Sequence, residues 1–168
     1  MDHIFTYRDE VLFKPCSPVE EFGVATEELA ARLVGTLAGQ RAYGLAANQI
    51  GVSQRALAYN AGPAFNGVIF NPEVQWYKNT ALMEEGCLSI PGFFWRVERP
   101  ATILVTGQDA AGNDVKLNLK RMEARIFLHE IDHLAGRLIF DLIEDEYERA
   151  QALKLADRLL FEMEKIRP

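Results

Sequence analysis

Two of the three histidines in this 168-residue chain, His129 and His133, stand four residues apart with Glu130 between them. On an α-helix, residues at this spacing lie one above the other on the same face, so two imidazoles can bind one divalent ion. A glutamate directly after the first histidine is then placed as general base for the water that the ion polarises. A helix can also carry this pattern by chance, with both histidines packed or solvated. The grouping of two scarce histidines around one glutamate favours the metal site.

A catalytic site of this kind usually has three protein ligands, so one ligand remains to be identified. Ile139 stands where the metzincin proteases carry a third histidine, which disfavours that class. One candidate is Cys87, because a thiolate suits the same ions that imidazoles bind. The other candidates are carboxylates on or near the last predicted helix: Glu144, Glu146 and Glu148. The residues alone leave both choices open.

Cys87 lies in a segment, residues 84–92, that two glycines and a proline interrupt. Gly86 before it allows the backbone to approach another group closely. Glu85 can hold an arginine or a loop, although such a strand residue is more often solvated. A single cysteine is more often a small buried apolar residue than a ligand. The other cysteine, Cys16, could pair with it, but free thiols or ligands are expected in a cytosolic protein of this size.

A second glycine-bounded segment spans residues 44–51 and consists mostly of small apolar residues. Such residues permit tight contact between the backbone and a ligand or a neighbouring strand. Gln49 is the longest polar side chain in the segment, and its neutral amide can donate a hydrogen bond. The alternative is a buried turn in which the backbone satisfies Gln49.

Helices and strands must together position these residues. The predicted helices, identified from apolar residues at helical spacing, cover about 25–40, 121–136 and 145–165. The predicted strands cover 55–59, 68–71, 74–77, 81–89, 102–106 and 115–119, of which the last two form a hairpin. This order predicts an α+β fold with short antiparallel sheets around a central histidine-bearing helix. We expect one domain over residues 1–168, with terminal helices on either side of the sheets.

The helix predicted over 121–136 has two apolar stripes, about a third of a circle apart. One contains Met122, Ile126, His129 and His133, and the other contains Phe127, Ile131, Leu134 and Leu138. The second stripe is an ordinary core-facing surface. The first would put apolar side chains beside the metal, which predicts a hydrophobic substrate pocket next to the chemistry.

The composition excludes several other classes of protein. A net charge of −6 argues against a nucleic-acid-binding surface as the main function. No apolar run approaches the roughly 20 residues of a membrane-spanning helix, and the N-terminus lacks the basic start and apolar stretch of a secretory signal. We therefore expect a cytoplasmic protein without direct nucleic-acid or membrane binding. His3 and Cys16 have no role that the pattern suggests.

Three segments, in this order and at these separations, resemble the motifs of the peptide deformylase family. Residues 42–49 read AYGLAANQ, residues 85–89 read EGCLS and residues 128–133 read LHEIDH. The corresponding family motifs are GxGLAAxQ, EGCLS and QHExDH, so Ala42 and Leu128 depart from the usual glycine and glutamine. The opening segment, residues 12–19, is also similar, and the resemblance covers about residues 1–140.

The resemblance implies an enzyme that hydrolyses the N-formyl group of the N-terminal formyl-methionine of new polypeptides and releases formate. Cys87, His129 and His133 would bind one metal ion per chain. That ion is usually Fe²⁺ in the family, and Zn²⁺, Ni²⁺ or Co²⁺ can take its place. A thiolate ligand also implies sensitivity to oxygen.

Matching positions imply further roles around the metal. Glu130 would be the general acid and base, and Gln49 with the backbone N–H of Leu88 would stabilise the oxyanion. The implied substrate-binding residues are Tyr43, Gly44, Met83, Glu85, Gly86, Met122 and Ile126. Phe94 stands where many bacterial members have an arginine, and Trp95 follows it, so we expect an aromatic surface there in place of a polar contact.

The last segment, residues 141–168, carries eight acidic and five basic residues. Its apolar residues, expected to pack onto the domain, are Leu153, Ala156, Leu160 and Met163. The family contacts the ribosome through a C-terminal helix of basic character, so the charge here favours a solvated packing helix. The family is commonly monomeric, and we expect a monomer that meets formyl-methionine nascent chains, with any ribosome contact transient.

Two other functions stay open at this point. A zincin-type peptidase would use a glutamate as third ligand and cleave unformylated peptides. A non-catalytic binding module could keep the same fold, but such a module has no need of Glu130.

Overall fold

The computed structural model describes residues 2–166, in which five strands and three α-helices follow one another. The helices are α1 (Val24–Ala38), α2 (Met122–Leu134) and α3 (Glu146–Ile166). The strands are β1 (Gly44–Ala46), β2 (Ala56–Asn60), β3 (Asn66–Cys87), β4 (Ile90–Gln108) and β5 (Asp114–Lys120). The predicted α+β class is confirmed. Across residues 2–166, no helix combines the length and the hydropathy that crossing a bilayer requires.

The five strands form one antiparallel sheet in the order β1-β2-β3-β4-β5, so each strand pairs with its neighbour in the sequence. The predicted hairpin over 102–119 is confirmed as the pairing of β4 with β5. α1 covers the β1 end of the sheet, where Leu29, Leu33 and Leu37 are buried against residues of β1 and β2. The antiparallel pairing arises because successive strands are joined by connections too short for a crossover.

β3 and β4 are 22 and 19 residues long, whereas the sequence predicted several short strands between 68 and 89. Asn71 and Asn79 have positive φ angles of 47° and 56°, and Pro72 has no backbone N–H to donate, so the apolar alternation breaks there. The strand absorbs the break at Asn71 and Pro72 as a shift in register, and its register with β4 continues unchanged past Asn79. The shifts between β3 and β4 lie at Phe70/Glu73, Val74/Trp76 and Gly86/Cys87.

α2 packs across the sheet and ends where the chain turns at a glycine. Phe127 and Leu134 are fully buried against residues of β4 and β5, which confirms the predicted core stripe at those positions. Leu138 is also buried, but it lies beyond the helix and joins the cluster around α3. Gly136, with a φ of 73°, follows the helix end, and a Cβ there would lie 2.8 Å from the backbone of Phe13.

α3 lies against β4 through Ala152, Ala156 and Leu160, which repeat every four residues and are buried. The prediction that Leu153 and Met163 pack onto the domain is wrong, because their side chains are 37% and 48% exposed. On the helix wheel Leu153 lies at the edge of the buried stripe, whereas Met163 shares the direction of the stripe but follows its last buried residue, Leu160. Small residues at 152 and 156 let the helix approach the sheet closely.

Candidate metal centre

Cys87 ends β3, and only two residues, Leu88 and Ser89, separate it from the start of β4. α2 directs His129 and His133 towards this turn. Sγ of Cys87 lies 3.2 Å from Nε2 of His133, and one donor atom from each of the three residues lies within 4.8 Å of the other two. The structure therefore brings together the histidine pair and the cysteine that the sequence proposed as its third partner.

This donor set fits a transition metal of the zinc class. One thiolate and two imidazoles are the ligand types that such ions prefer. His133 is buried, whereas Cys87 and His129 are partly exposed, so a small molecule can reach the cluster from one side. The competing carboxylates, Glu144, Glu146 and Glu148, are exposed and do not belong to the cluster found among residues 2–166. Both cysteines are free thiols.

Glu130 is buried beside the cluster, with 4% of its surface exposed. Within the described residues, its Oε2 has no hydrogen-bond partner. Burial raises the pKa of Glu130 to about 7, because the charged form loses its hydration. A buried carboxylate that can gain or lose a proton near neutral pH is suited to proton transfer.

Two contacts fix the side-chain amide of Gln49. Its Oε1 accepts a hydrogen bond from the backbone N–H of Ala46 at 2.8 Å, and its Nε2 donates to Oγ of Ser89 at 3.1 Å. Nε2 also lies 3.8 Å from Sγ of Cys87. The amide therefore presents its N–H groups, not its oxygen, towards the thiol. Asn48 donates to the backbone carbonyl of His133 at 2.6 Å and ties this segment to α2.

Glu85 is a buried carboxylate that contacts one of the histidines. Its Oε2 lies 3.0 Å from Nδ1 of His129, and Arg99 donates to both of its oxygens at 2.6 and 2.9 Å. Burial raises the pKa of Glu85, but the hydrogen bonds from His129 and Arg99 outweigh it and hold the pKa at about 2. An ionised carboxylate only accepts, so Nδ1 of His129 carries the proton and Nε2 is left as the ligand atom.

A second buried carboxylate, Asp132, extends this network. It accepts from Arg99 Nη1 and from Arg137 Nη2, each at 2.5 Å. Arg125 adds a further donor to Glu85 at 2.6 Å. Sequence reasoning missed these residues, along with Ser89. Two signals were available: the expectation that Glu85 can hold an arginine, and the i, i+4 spacing of Arg125 and His129, which places an arginine on the histidine-bearing side of the helix.

The residues predicted to bind substrate lie at different depths. Gly44 is packed against Glu130, and Gly86 lies under the ring of Phe94, which is 59% exposed. The exposed members are Tyr43, Gly86 and Met122, Met83 is half-buried, and Ile126 is buried in the core cluster beside β4 and β5. Trp95 does not continue the exposed aromatic surface that was expected, because it stacks on the buried ring of Phe93.

Comparisons with known proteins agree on one family. The sequence profile of the polypeptide deformylase family matches residues 1–149. A peptide deformylase from Caldicellulosiruptor bescii is 36% identical over 154 residues, which cover 89% of this chain and 92% of that protein. A peptide deformylase structure from Legionella pneumophila superposes with a TM-score of 0.92 at 31% identity, covering 100% of this chain and 99% of the other. One from Thermus thermophilus gives 0.89 at 34% identity, with 98% of each chain covered.

Proposed function

This chain belongs to the peptide deformylase family, metal-dependent hydrolases that remove the N-formyl group from nascent polypeptides, and we propose that Cys87, His129 and His133 hold its metal ion. The observation that carries this proposal is the convergence of one thiol and two imidazoles within 4.8 Å, beside a buried carboxylate. A divalent ion at such a site supplies Lewis-acid polarisation and an acidified water. We infer that one Fe²⁺ per chain is the natural ion and that Zn²⁺, Ni²⁺ or Co²⁺ can replace it.

Glu130 then moves the proton that hydrolysis requires. Its unpartnered Oε2 takes a proton from the attacking water while the water oxygen bonds to the formyl carbon. As the carbon–nitrogen bond breaks, the same carboxyl group gives that proton to the departing amine. The second proton of the water also ends on the released amine, so the products are formate and a chain with a free N-terminal methionine amine. A carboxyl group with a pKa of about 7 is suited to both transfers at neutral pH.

Gln49 and Leu88 would stabilise the negative charge that develops on the formyl oxygen. The contacts with Ala46 and Ser89 hold the Gln49 amide with its N–H groups towards Cys87. The Leu88 backbone N–H follows Cys87 directly in the tight turn. Two fixed donors beside the reacting carbon are the arrangement that stabilises a tetrahedral oxyanion.

We further infer that the substrate is the formyl-methionine end of a nascent chain, held by Tyr43, Gly44, Met83, Glu85, Gly86, Met122 and Ile126. The chain would act as a single-domain monomer in the cytoplasm, with a transient contact to the ribosome. Met83 lies four residues before Cys87 on β3 and Met122 about two turns before His129 on α2, and such flexible side chains support an unbranched apolar side chain as the preferred ligand.

The test is formate release from a formyl-methionine peptide by Glu130→Gln and Glu144→Gln. Glu130→Gln should keep one metal ion per chain and lose at least about 1,000-fold in kcat, because the proton carrier is gone. Glu144→Gln, an exposed and equally conservative change, should match the wild type. Full turnover by Glu130→Gln would refute its role, and cleavage of unformylated peptides would favour the peptidase.

A further inference from the structure

Arg125 is a buried arginine that lies one helical turn before His129 on α2, with 5% of its surface exposed. Its Nη1 donates to Oε1 of Glu85 at 2.6 Å and to the backbone carbonyl of Val97 at 2.9 Å. Its Nη2 donates to the backbone carbonyl of Ala81 at 2.6 Å. One guanidinium thus joins a carboxylate to the backbones of β3 and β4.

The two oxygens of Glu85 have a complete set of partners. Oε1 accepts from Arg99 Nε and Arg125 Nη1, both at 2.6 Å. Oε2 accepts from Arg99 Nη2 at 2.9 Å and faces Nδ1 of His129 at 3.0 Å. A carboxylate has about four acceptor positions, and all are in use here. Rotation of this carboxylate would therefore break a bond at each oxygen.

The two arginines anchor Glu85 to different parts of the molecule. Arg99 also bonds Asp132, which lies on α2 like His129 itself. Arg125 donates to backbone carbonyls of two paired strands, and these carbonyls keep their positions when a side chain rotates. A planar guanidinium can hold a carboxylate and two carbonyls at fixed angles, which an ammonium cannot do. Arg125, which lies on α2, thus fixes the Glu85 carboxylate relative to the backbones of both strands.

We propose that Arg125 is a positioning residue for the metal ligand His129, acting through Glu85. It holds Oε1 against the sheet, and the other oxygen then stays directed at Nδ1 of His129. That contact fixes the orientation of the imidazole and which nitrogen faces the metal. The inference rests on the ligand set proposed above. The competing explanation is that Arg125 only braces α2 against the two strands.

The test uses the full chain loaded with Co²⁺ and compares Arg125→Met, Arg125→Lys and Arg149→Met. Arg125→Met keeps a long side chain but removes every hydrogen-bond donor. It should weaken Co²⁺ binding about tenfold, which is the smaller effect usually seen when a residue that supports a metal ligand is lost. Competition with a chelator measures the affinity. The visible bands of bound Co²⁺, which report ligand orientation, should shift. Arg149, whose side chain donates to the backbone carbonyl of Ile143, is the matched control and should change neither.

Arg125→Lys separates positioning from bracing. The lysine can return one charged donor to Glu85 but cannot bond both strand carbonyls, so Co²⁺ affinity should recover to within about threefold while thermal stability stays low. Unchanged Co²⁺ affinity and bands in Arg125→Met would overturn the inference, as would a lysine variant as weak as the methionine variant. If Arg125→Met does not fold, Arg125→Gln takes its place with the same expected losses and the same overturning results.

A metal-binding control distinguishes failure of this inference from failure of the ligand set. The wild type should bind one Co²⁺ per chain with a thiolate charge-transfer band that Cys87→Ala abolishes. A wild type that binds no Co²⁺, or a Cys87→Ala chain that binds it normally, would refute the ligand set and this inference with it. Normal wild-type binding with unaffected Arg125 variants would refute this inference alone.

Discussion

Gly44 and Glu130 are in such close contact that any side chain at residue 44 would displace the carboxylate. A Cβ on Gly44 would overlap Oε1 of Glu130 and lie 2.8 Å from its Cδ. Real Cβ atoms essentially never come this close to another heavy atom. Because Gly44 belongs to the paired backbone of β1, the displacement must fall on Glu130. The proposed proton carrier is thus positioned by a residue that does no chemistry.

Gly44→Ala should therefore lower kcat about 100-fold while the metal content stays at the wild-type level, because a shift of about 1 Å in a reacting group has effects of that size. Steady-state formate release and metal analysis provide the measurements. Gly35→Ala is the matched control, since a Cβ on this exposed position in α1 meets no atom within 4 Å. The control should keep kcat and stabilise the fold by about 0.5–1 kcal/mol. An unchanged kcat in Gly44→Ala would show that Glu130 tolerates displacement.

The metal donors could be predicted from the sequence, but their supporting residues could not. His129 and His133 stand out because helical spacing alone brings them together. Arg99 and Asp132 are ordinary charged residues in the sequence. They are 33 positions apart, and only the packing of α2 against β4 brings them into contact. Ser89 is missed for a similar reason, since its contact with Gln49 joins segments 40 positions apart.

At the scale of elements, periodicity was a better guide to helices than to strands. The apolar pattern predicted α2 within two residues of its observed ends, because a regular helix keeps one period along its whole length. The same reasoning divided β3 into short pieces, because Asn71, Pro72 and Asn79 interrupt the alternation. Pairing with β4 continues across the interruptions, and that partner is 19 residues long. Long-range pairing of this kind is invisible to a local pattern.

α3 is tied to the N-terminal segment by a hydrogen bond from the Tyr7 hydroxyl to Oδ1 of Asp157, at 2.5 Å. Burial and this carboxylate raise the pKa of Tyr7 to about 12, above its ordinary value of 10. Folding therefore favours the protonated phenol. Below pH 10 the bond makes its full contribution to the stability of the folded state, and this contribution is lost as the pH rises from 10 towards 12.

Tyr7→Phe should lower the free energy of unfolding by about 1 kcal/mol at neutral pH, the usual size for one hydrogen bond. Urea denaturation of the variant and the wild type between pH 7 and 11 measures the difference, which should shrink above pH 10. Tyr147→Phe, at an exposed position on the same helix, should show no such difference. A constant difference across this range would exclude the hydroxyl of Tyr7 as its source.

For the molecule as a whole, the proposed metal site joins the central sheet to the helix that covers it. Cys87 comes from the end of β3, and both histidines come from α2, more than 40 residues later. A ligand that binds only the folded chain stabilises it in proportion to its affinity and concentration. The metal would therefore contribute to the stability of the fold as well as to its chemistry.

Removal of the metal by a chelator should accordingly lower the Tm of the wild type, and the decrease should be reversed by added Ni²⁺ or Co²⁺. Thermal denaturation followed by circular dichroism, with metal content measured in parallel, provides the check. Cys16→Ala keeps all three proposed ligands and should show the same chelator-dependent decrease. Cys87→Ala should show none, and a chelator effect as large as that of the wild type would mean that the ion binds elsewhere.

The contacts of Glu85 with His129 and of Cys87 with His133 join pairs that are two residues apart on β3 and four apart on α2. Two strand residues span about 6.6 Å and four helical residues about 6 Å, so the two repeats nearly coincide over this stretch. The spacing along the strand and the spacing along the helix therefore match over this step. A single-residue insertion between Glu85 and Cys87, or between the histidines, would break the match and separate the orienting carboxylate from the metal donors.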